Sequence, residues 1–181
     1  MENIIELGRR VQITDPCYEP HDWDKCVKDY GDAAINVLPG KYVCKQVVGE
    51  EGQCNYVCEL FAGQEEQCNY DRNFRFEVRH QDYPDVQANE LFITLFVCSG
   101  QCGVFDDEYY RKNYLDNNER NPQSWYHKVS SLTVAKPHWG TLDGKCVNLR
   151  ACSANGDFKI YVGRNQDGKV VSIRIDLTAV F

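Results

Sequence analysis

Ten cysteines dominate the residues of this chain that could do chemistry: Cys17, Cys26, Cys44, Cys54, Cys58, Cys68, Cys98, Cys102, Cys146 and Cys152. A thiolate can ligate zinc, exchange disulfides or attack an electrophile, and spacing decides which of these is open. Cys98 and Cys102 flank Gly100 four positions apart, and Cys54 and Cys58 repeat the interval, so a four-thiolate zinc site can be written from these four residues. Neither pair has the two-residue gap of thioredoxin-like motifs, and the set matches no zinc-ribbon pattern. An even count also permits a disulfide framework, although such frameworks belong mainly to small secreted chains. Buried, reduced thiols are the reading that asks least of the sequence, and no metal is expected.

Carboxylates offer a second chemistry. Asp15 ends the segment Val11-Gln12-Ile13-Thr14-Asp15 and precedes Pro16-Cys17-Tyr18. Proline cannot donate to a sheet and pushes the residue before it into extended geometry, so Asp15 is expected at a strand end, its carboxylate accepting backbone N–H groups. As a metal ligand or general base it would need a partner that the sequence does not identify. Further on, an apolar strand over Phe96-Val97 is expected to run into a small-residue turn at Ser99-Gly100-Gln101-Cys102-Gly103. Cys152-Ser153-Ala154-Asn155-Gly156-Asp157 reads either as a ligand-binding loop or as an ordinary tight turn.

His21, His80, His127 and His138 lie in no nucleophile signature, and no phosphate-binding or calcium-binding loop is present, so no cofactor is expected. Trp125-Tyr126-His127 and His138-Trp139 could line a cleft, or belong to the core like most aromatic residues.

The elements that must position these residues are mostly strands. Alternating segments rich in Val, Ile, Tyr and Phe predict strands at 9–15, 41–48, 55–61, 73–80, 90–97, 129–135, 145–151, 157–163 and 169–177. The last two flank Asn165-Gln166-Asp167-Gly168 and read as a hairpin. Acids followed by bases over Asp106–Leu115 predict a short helix, and residues 20–30 offer a further turn or two. The expectation is a mostly β fold, a two-sheet sandwich or partly open barrel with one or two short helices. No linker divides the chain, so residues 1–181 are read as one domain. The echo of Gln53-Cys54-Asn55-Tyr56 in Gln67-Cys68-Asn69-Tyr70 is too short for a repeat architecture and reads as chance or two similar turns.

A net charge of -7 with scattered basic residues argues against nucleic-acid binding, which rests on clustered Lys and Arg. No apolar run is long enough to span a bilayer, and Met1–Leu7 has neither the basic start nor the apolar stretch of a secretory signal. A cytoplasmic chain whose partner is another protein, with no membrane and no nucleic acid, is the expectation.

Four motifs occur in order: Asp15-Pro16-Cys17-Tyr18; Leu38-Pro39-Gly40-Lys41-Tyr42; Ser99-Gly100-Gln101-Cys102-Gly103-Val104-Phe105-Asp106; and Asn155-Gly156-Asp157-Phe158 leading to Val170–Ile175. Together they resemble a group of uncharacterised phage and bacterial proteins related to a domain of unknown function. The resemblance implies a ligand or partner site containing Asp15, Tyr18, Ser99, Gly100, Gln101 and Asp157. The chain departs from the pattern where Cys98 replaces an acid and where Ser153-Ala154 replaces Ser-Gly. It implies a non-catalytic binding or accessory protein of phage or bacterial origin, acting on a host or competitor protein or associated with a virion, and in the host cytoplasm if phage-encoded. The alternatives are a small hydrolase or ligand-modifying enzyme using Asp15, Gln101 and Asp157, and a zinc-stabilised interaction module.

Overall fold

The structure, a computed structural model, describes residues 3–20, 32–47, 53–59, 65–71, 74–97, 99–118, 120–134, 137–150 and 156–177. In chain order these hold β1 (Asn3–Leu7), β2 (Arg10–Thr14), β3 (Asp32–Asn36), β4 (Gly40–Val47), β5 (Gln53–Glu59), β6 (Glu65–Asp71), β7 (Phe74–His80), β8 (Glu90–Val97) and β9 (Gln101–Asp106). Two helices, α1 (Asp107–Asn113) and α2 (Trp125–Ser131), precede β10 (Trp139–Leu142), β11 (Cys146–Arg150), β12 (Gly156–Arg164) and β13 (Val170–Leu177). A six-stranded antiparallel sheet, β1-β4-β7-β13-β12-β8, packs against a five-stranded one, β10-β11-β9-β2-β3. The fold is therefore mostly β, a two-sheet sandwich, and the described strands do not close into a barrel.

Period-two alternation explains the packing. On β4, Tyr42 and Cys44 turn inward while Lys41 and Lys45 meet solvent; on β13, Ile173 and Ile175 turn inward. One core cluster draws on both sheets, with Ile5, Phe76, Leu95 and Ile160 from the first and Ile13, Val104, Val147 and Leu149 from the second. Each such side chain, taken out of water, contributes about 1.5–3 kcal/mol.

The five-stranded sheet is covered on its other face too. Phe105, Cys146, Tyr110 of α1, and Trp125, Tyr126 and Val129 of α2 make a second cluster there. All six residues of β9 are buried in consequence, and Gln12 and Thr14 are as buried as Val11 and Ile13 beside them. Gly103 makes the close packing possible, because a Cβ there would lie 2.6 Å from both the Phe105 ring and the Val147 carbonyl oxygen. The outer face of the six-stranded sheet carries charge instead: Arg174 lies 2.9 Å from Asp176, and its guanidinium stacks 4.1 Å from the Tyr161 ring centroid.

Several sequence expectations are corrected. Residues 129–135, expected as a strand, contain the end of α2 and the turn after it. Ser124 caps that helix by accepting from His127 N at 3.2 Å, and Asp116 accepts from Trp125 N at 2.7 Å, so local capping outweighs the β-branched residues. The stretch after Gly100, expected as a turn, is β9, a central strand. β1, β3, β6 and β10 carried no strand expectation. The tetrapeptide echo lies on two paired strands, with Asn55 opposite Asn69 and Cys54 opposite Tyr70. Of residues 20–30, where a helical turn or two was expected, all but Pro20 lie outside the described residues. The C-terminal hairpin is present, closed by Gly168 N donating to Asn165 O at 3.0 Å with Gly168 at φ 74°.

Candidate functional site

β2 delivers Asp15 to the point where Pro16 ends the ladder, and the chain turns with Tyr18 N donating to Asp15 O at 3.0 Å. The Asp15 side chain folds back onto the same turn, Oδ1 accepting from Cys17 N at 3.0 Å. The rest of the carboxylate reaches across to the second motif. Ser99 N donates to Oδ2 at 2.7 Å and Ser99 Oγ donates to Oδ1 at 2.6 Å. Asp15 is fully buried, so these charge-assisted bonds are what make its burial tolerable. Gly100, buried at φ 72°, supplies the left-handed step that carries Ser99 into β9. From α1, Tyr110 Oη donates to Tyr18 O at 2.7 Å, and it lies 3.3 Å from Asp15 O. Asp15, Tyr18, Ser99 and Gly100 are thus gathered into one clamp, in which the acid acts as an acceptor for N–H and O–H groups.

Gln101 faces elsewhere. Its Nε2 donates to Ser130 Oγ of α2 at 3.2 Å and its Oε1 accepts from Asn148 Nδ2 of β11 at 2.7 Å. Asn148 Nδ2 also donates to Val129 O at 3.1 Å, so this polar trio fastens α2 to the sheet. The Oδ1 atom of fully buried Asn148 and the Nη1 atom of Arg150, two residues along β11, have no hydrogen-bond partner among the described residues. Asp157 is the second residue of β12, opposite Phe96, and its side chain lies outside the described residues. The structure therefore joins Asp15 to Ser99, while Gln101 serves a different contact.

The thiols separate in the same way. Cys54 and Cys58 sit on β5, opposite Tyr70 and Glu66, with side chains outside the described residues, and Cys98 lies outside them altogether. Cys102 points into the sandwich core, where burial and then the nearby Asp15 charge push its thiol well above the usual range. Burial likewise raises Cys44 far up and Cys146 to about 12. All three are free thiols. Among the described residues no three His, Cys, Asp or Glu side chains are grouped to hold a metal.

The aromatic residues expected to line a cleft belong to the cores. Trp125 packs among Phe105, Tyr109 and Tyr110, and Trp139 meets Phe76 at 4.8 Å while donating Nε1–H to Gln46 at 3.1 Å. A shallow cleft of about 390 Å³ lies between Tyr83, Val86 and the Arg164–Asp167 turn, away from the Asp15 clamp.

Sequence reasoning missed two buried acids. Asp106 accepts from Gly8 N at 2.7 Å and caps α1 through Tyr109 N at 3.1 Å; Asp107 accepts from Gln12 and is held by Arg111 Nε at 3.1 Å from each oxygen. Their signal was the acid-first order of the helix, which was read as a dipole effect and not as a pair of buried acceptors. No helix among the described residues is long and apolar enough to cross a membrane. Compared with family models, with curated proteins and with solved structures, the chain has no match in any of the three.

Proposed function

We propose that this chain is a non-catalytic binding or accessory protein of phage or bacterial origin that acts in the host cytoplasm by contact with another protein, either a host or competitor protein or a virion component. The observation that carries the reading is the commitment of Asp15: its carboxylate is fully buried and already accepts from Ser99 N, Ser99 Oγ and Cys17 N. A catalytic base needs a lone pair within reach of substrate. Gln101, the second residue of the hydrolase alternative, is spent on Ser130 and Asn148. The origin rests on the motif resemblance alone.

The test is turnover. The purified chain and its Asp15→Asn variant are assayed against ester, phosphoester, peptide and glycoside substrates, while the tagged chain is recovered from an infected bacterial host. No turnover together with a stoichiometric protein partner is the expected result. Turnover that disappears in a folded Asp15→Asn variant would instead establish the hydrolase alternative.

A further inference from the structure

Part of the outer face of the six-stranded sheet is roofed by a strap, residues 81–89, which joins β7 to β8. Gly163, Ser172 and Arg79 stand side by side beneath it, one each from β12, β13 and β7, in a single register row. The strap touches both ends of the row. At Gly163 a Cβ would run into the Gln87 carbonyl and come within 3.1 Å of Val86 Cγ1, so a glycine is what lets the strap lie this low. At the other end the Arg79 guanidinium reaches up to it, Nη1 donating to Pro84 O and Nη2 donating to Gln87 Oε1 at 3.4 Å. Ser172 lies between these two contacts and is fully buried. Its Oγ atom has no hydrogen-bond partner among the described residues, and neither has the buried Nε atom of Arg79 directly across the register. A hydroxyl turns freely about its C–O bond, so Ser172 lacks a partner within reach and not merely an orientation. Buried polar atoms that the chain itself leaves unmatched are rare, and ordered water is their usual partner.

We infer that one water molecule is bound under this strap, accepting from Arg79 Nε and hydrogen-bonded to Ser172 Oγ, and that it completes the attachment of the strap to the sheet. The chemistry of the two atoms selects water. Arg79 Nε can only donate, whereas Ser172 Oγ can donate or accept, and a water matches both. A cation is excluded by the guanidinium. An anion would bring a second negative charge to a guanidinium that Glu77 already neutralises at Nη2. Directly opposed residues of an antiparallel pair have Cβ atoms about 5 Å apart, a spacing that a single water bridges. The site also bears on the surface of the protein, because Tyr83 and Val86 of the same strap form one wall of the shallow cleft beside the Arg164–Asp167 turn. What fixes the strap to the sheet therefore shapes that cleft. The inference stands independently of the function proposed above.

Urea denaturation of a double-mutant cycle tests it, because a bridged hydroxyl and an unmatched one give opposite signs on removal. Ser172→Ala deletes the hydroxyl with little change of volume. With the water in place the urea midpoint should fall, since a hydrogen bond is lost; a hydroxyl buried without any partner would raise the midpoint when deleted. Arg79→Lys keeps the positive charge but puts a methylene where Nε stands, so in that background Ser172→Ala should lower the midpoint much less than in the wild-type chain. A midpoint that does not fall in Ser172→Ala, or that falls equally in both backgrounds, would overturn the inference. Should Arg79→Lys fail to fold, a crystal structure of the wild-type chain at a resolution that shows ordered waters takes its place. One water within about 3.2 Å of both Arg79 Nε and Ser172 Oγ is expected. An empty site, or a chloride or other ion in it, would refute the bridge.

Discussion

At the scale of single residues, Asp15 behaves as a structural acceptor whose burial depends on its donors. Asp15→Asn replaces one acceptor oxygen with an NH2 group that faces a backbone N–H in either orientation, of Ser99 at Oδ2 or of Cys17 at Oδ1, leaving two donors opposed inside the protein. The expected cost is about 2–3 kcal/mol, read as a lower urea midpoint, whereas Ser99→Ala, which removes one hydroxyl, should cost about 1 kcal/mol. Equal midpoints for wild type and Asp15→Asn would contradict the clamp. Thiol chemistry gives a second check. Burial raises the Cys44, Cys102 and Cys146 thiols, so their thiolate forms stay scarce even in moderately alkaline solution. Differential alkylation read by peptide mass spectrometry should find these three unlabelled in the native protein and labelled after denaturation. Native labelling of any of them would mean that the cores open locally. The acceptor role of Asp15 was legible because Pro16 announces the end of a strand. Its donor was not, because Ser99 is 84 positions away and only the pairing of β2 with β9 brings it close.

Elements show where pattern and packing part company. Val129–Ala135 alternates like a strand, yet the chain there is helical up to Ser131, because Ser124 and Asp116 satisfy the first-turn N–H groups and Trp125, Tyr126 and Val129 then share a buried face. Ser124→Ala should therefore lower stability by about 1 kcal/mol, with a small loss of helical ellipticity. No change in either would make the cap incidental. β9 was missed for the opposite reason: its glycine suggested a turn, although Gly103 is where a strand surrenders a side chain so that Phe105 and Val147 can close over it. Gly103→Ala should cost about 1–3 kcal/mol by overpacking. A neutral result in thermal denaturation would show that both the Phe105 ring and the Val147 backbone give way freely. Helix caps and close approaches leave only one or two residues of signal in a sequence, so a window-averaged hydrophobic pattern passes over them.

The whole molecule depends on long-range order in a way the segments do not reveal. The C-terminal hairpin was the most legible element, since both strands alternate and Asn165–Gly168 closes them, but its place in the sheet was not legible. β13 lies between β7 and β12, and β12 in turn carries β8, so the last elements of the chain form the middle of the six-stranded sheet. The order β1-β4-β7 can form early from nearby chain, but β8 has no neighbour in its sheet until the hairpin arrives. Loop-closure entropy must be met before those distant pairings contribute, which predicts slow folding of the kind seen in sandwiches. It also predicts that the hairpin is indispensable. A chain ending at residue 155 would lose the interior strands β13 and β12, strip Ile160, Val162, Ile173 and Ile175 from the core, and leave β8 unpaired. Such a chain should show no cooperative urea transition. A retained sigmoidal transition with native-like near-ultraviolet dichroism would show that the five-stranded sheet and its helices hold a fold of their own, and that the six-stranded sheet is assembled upon it.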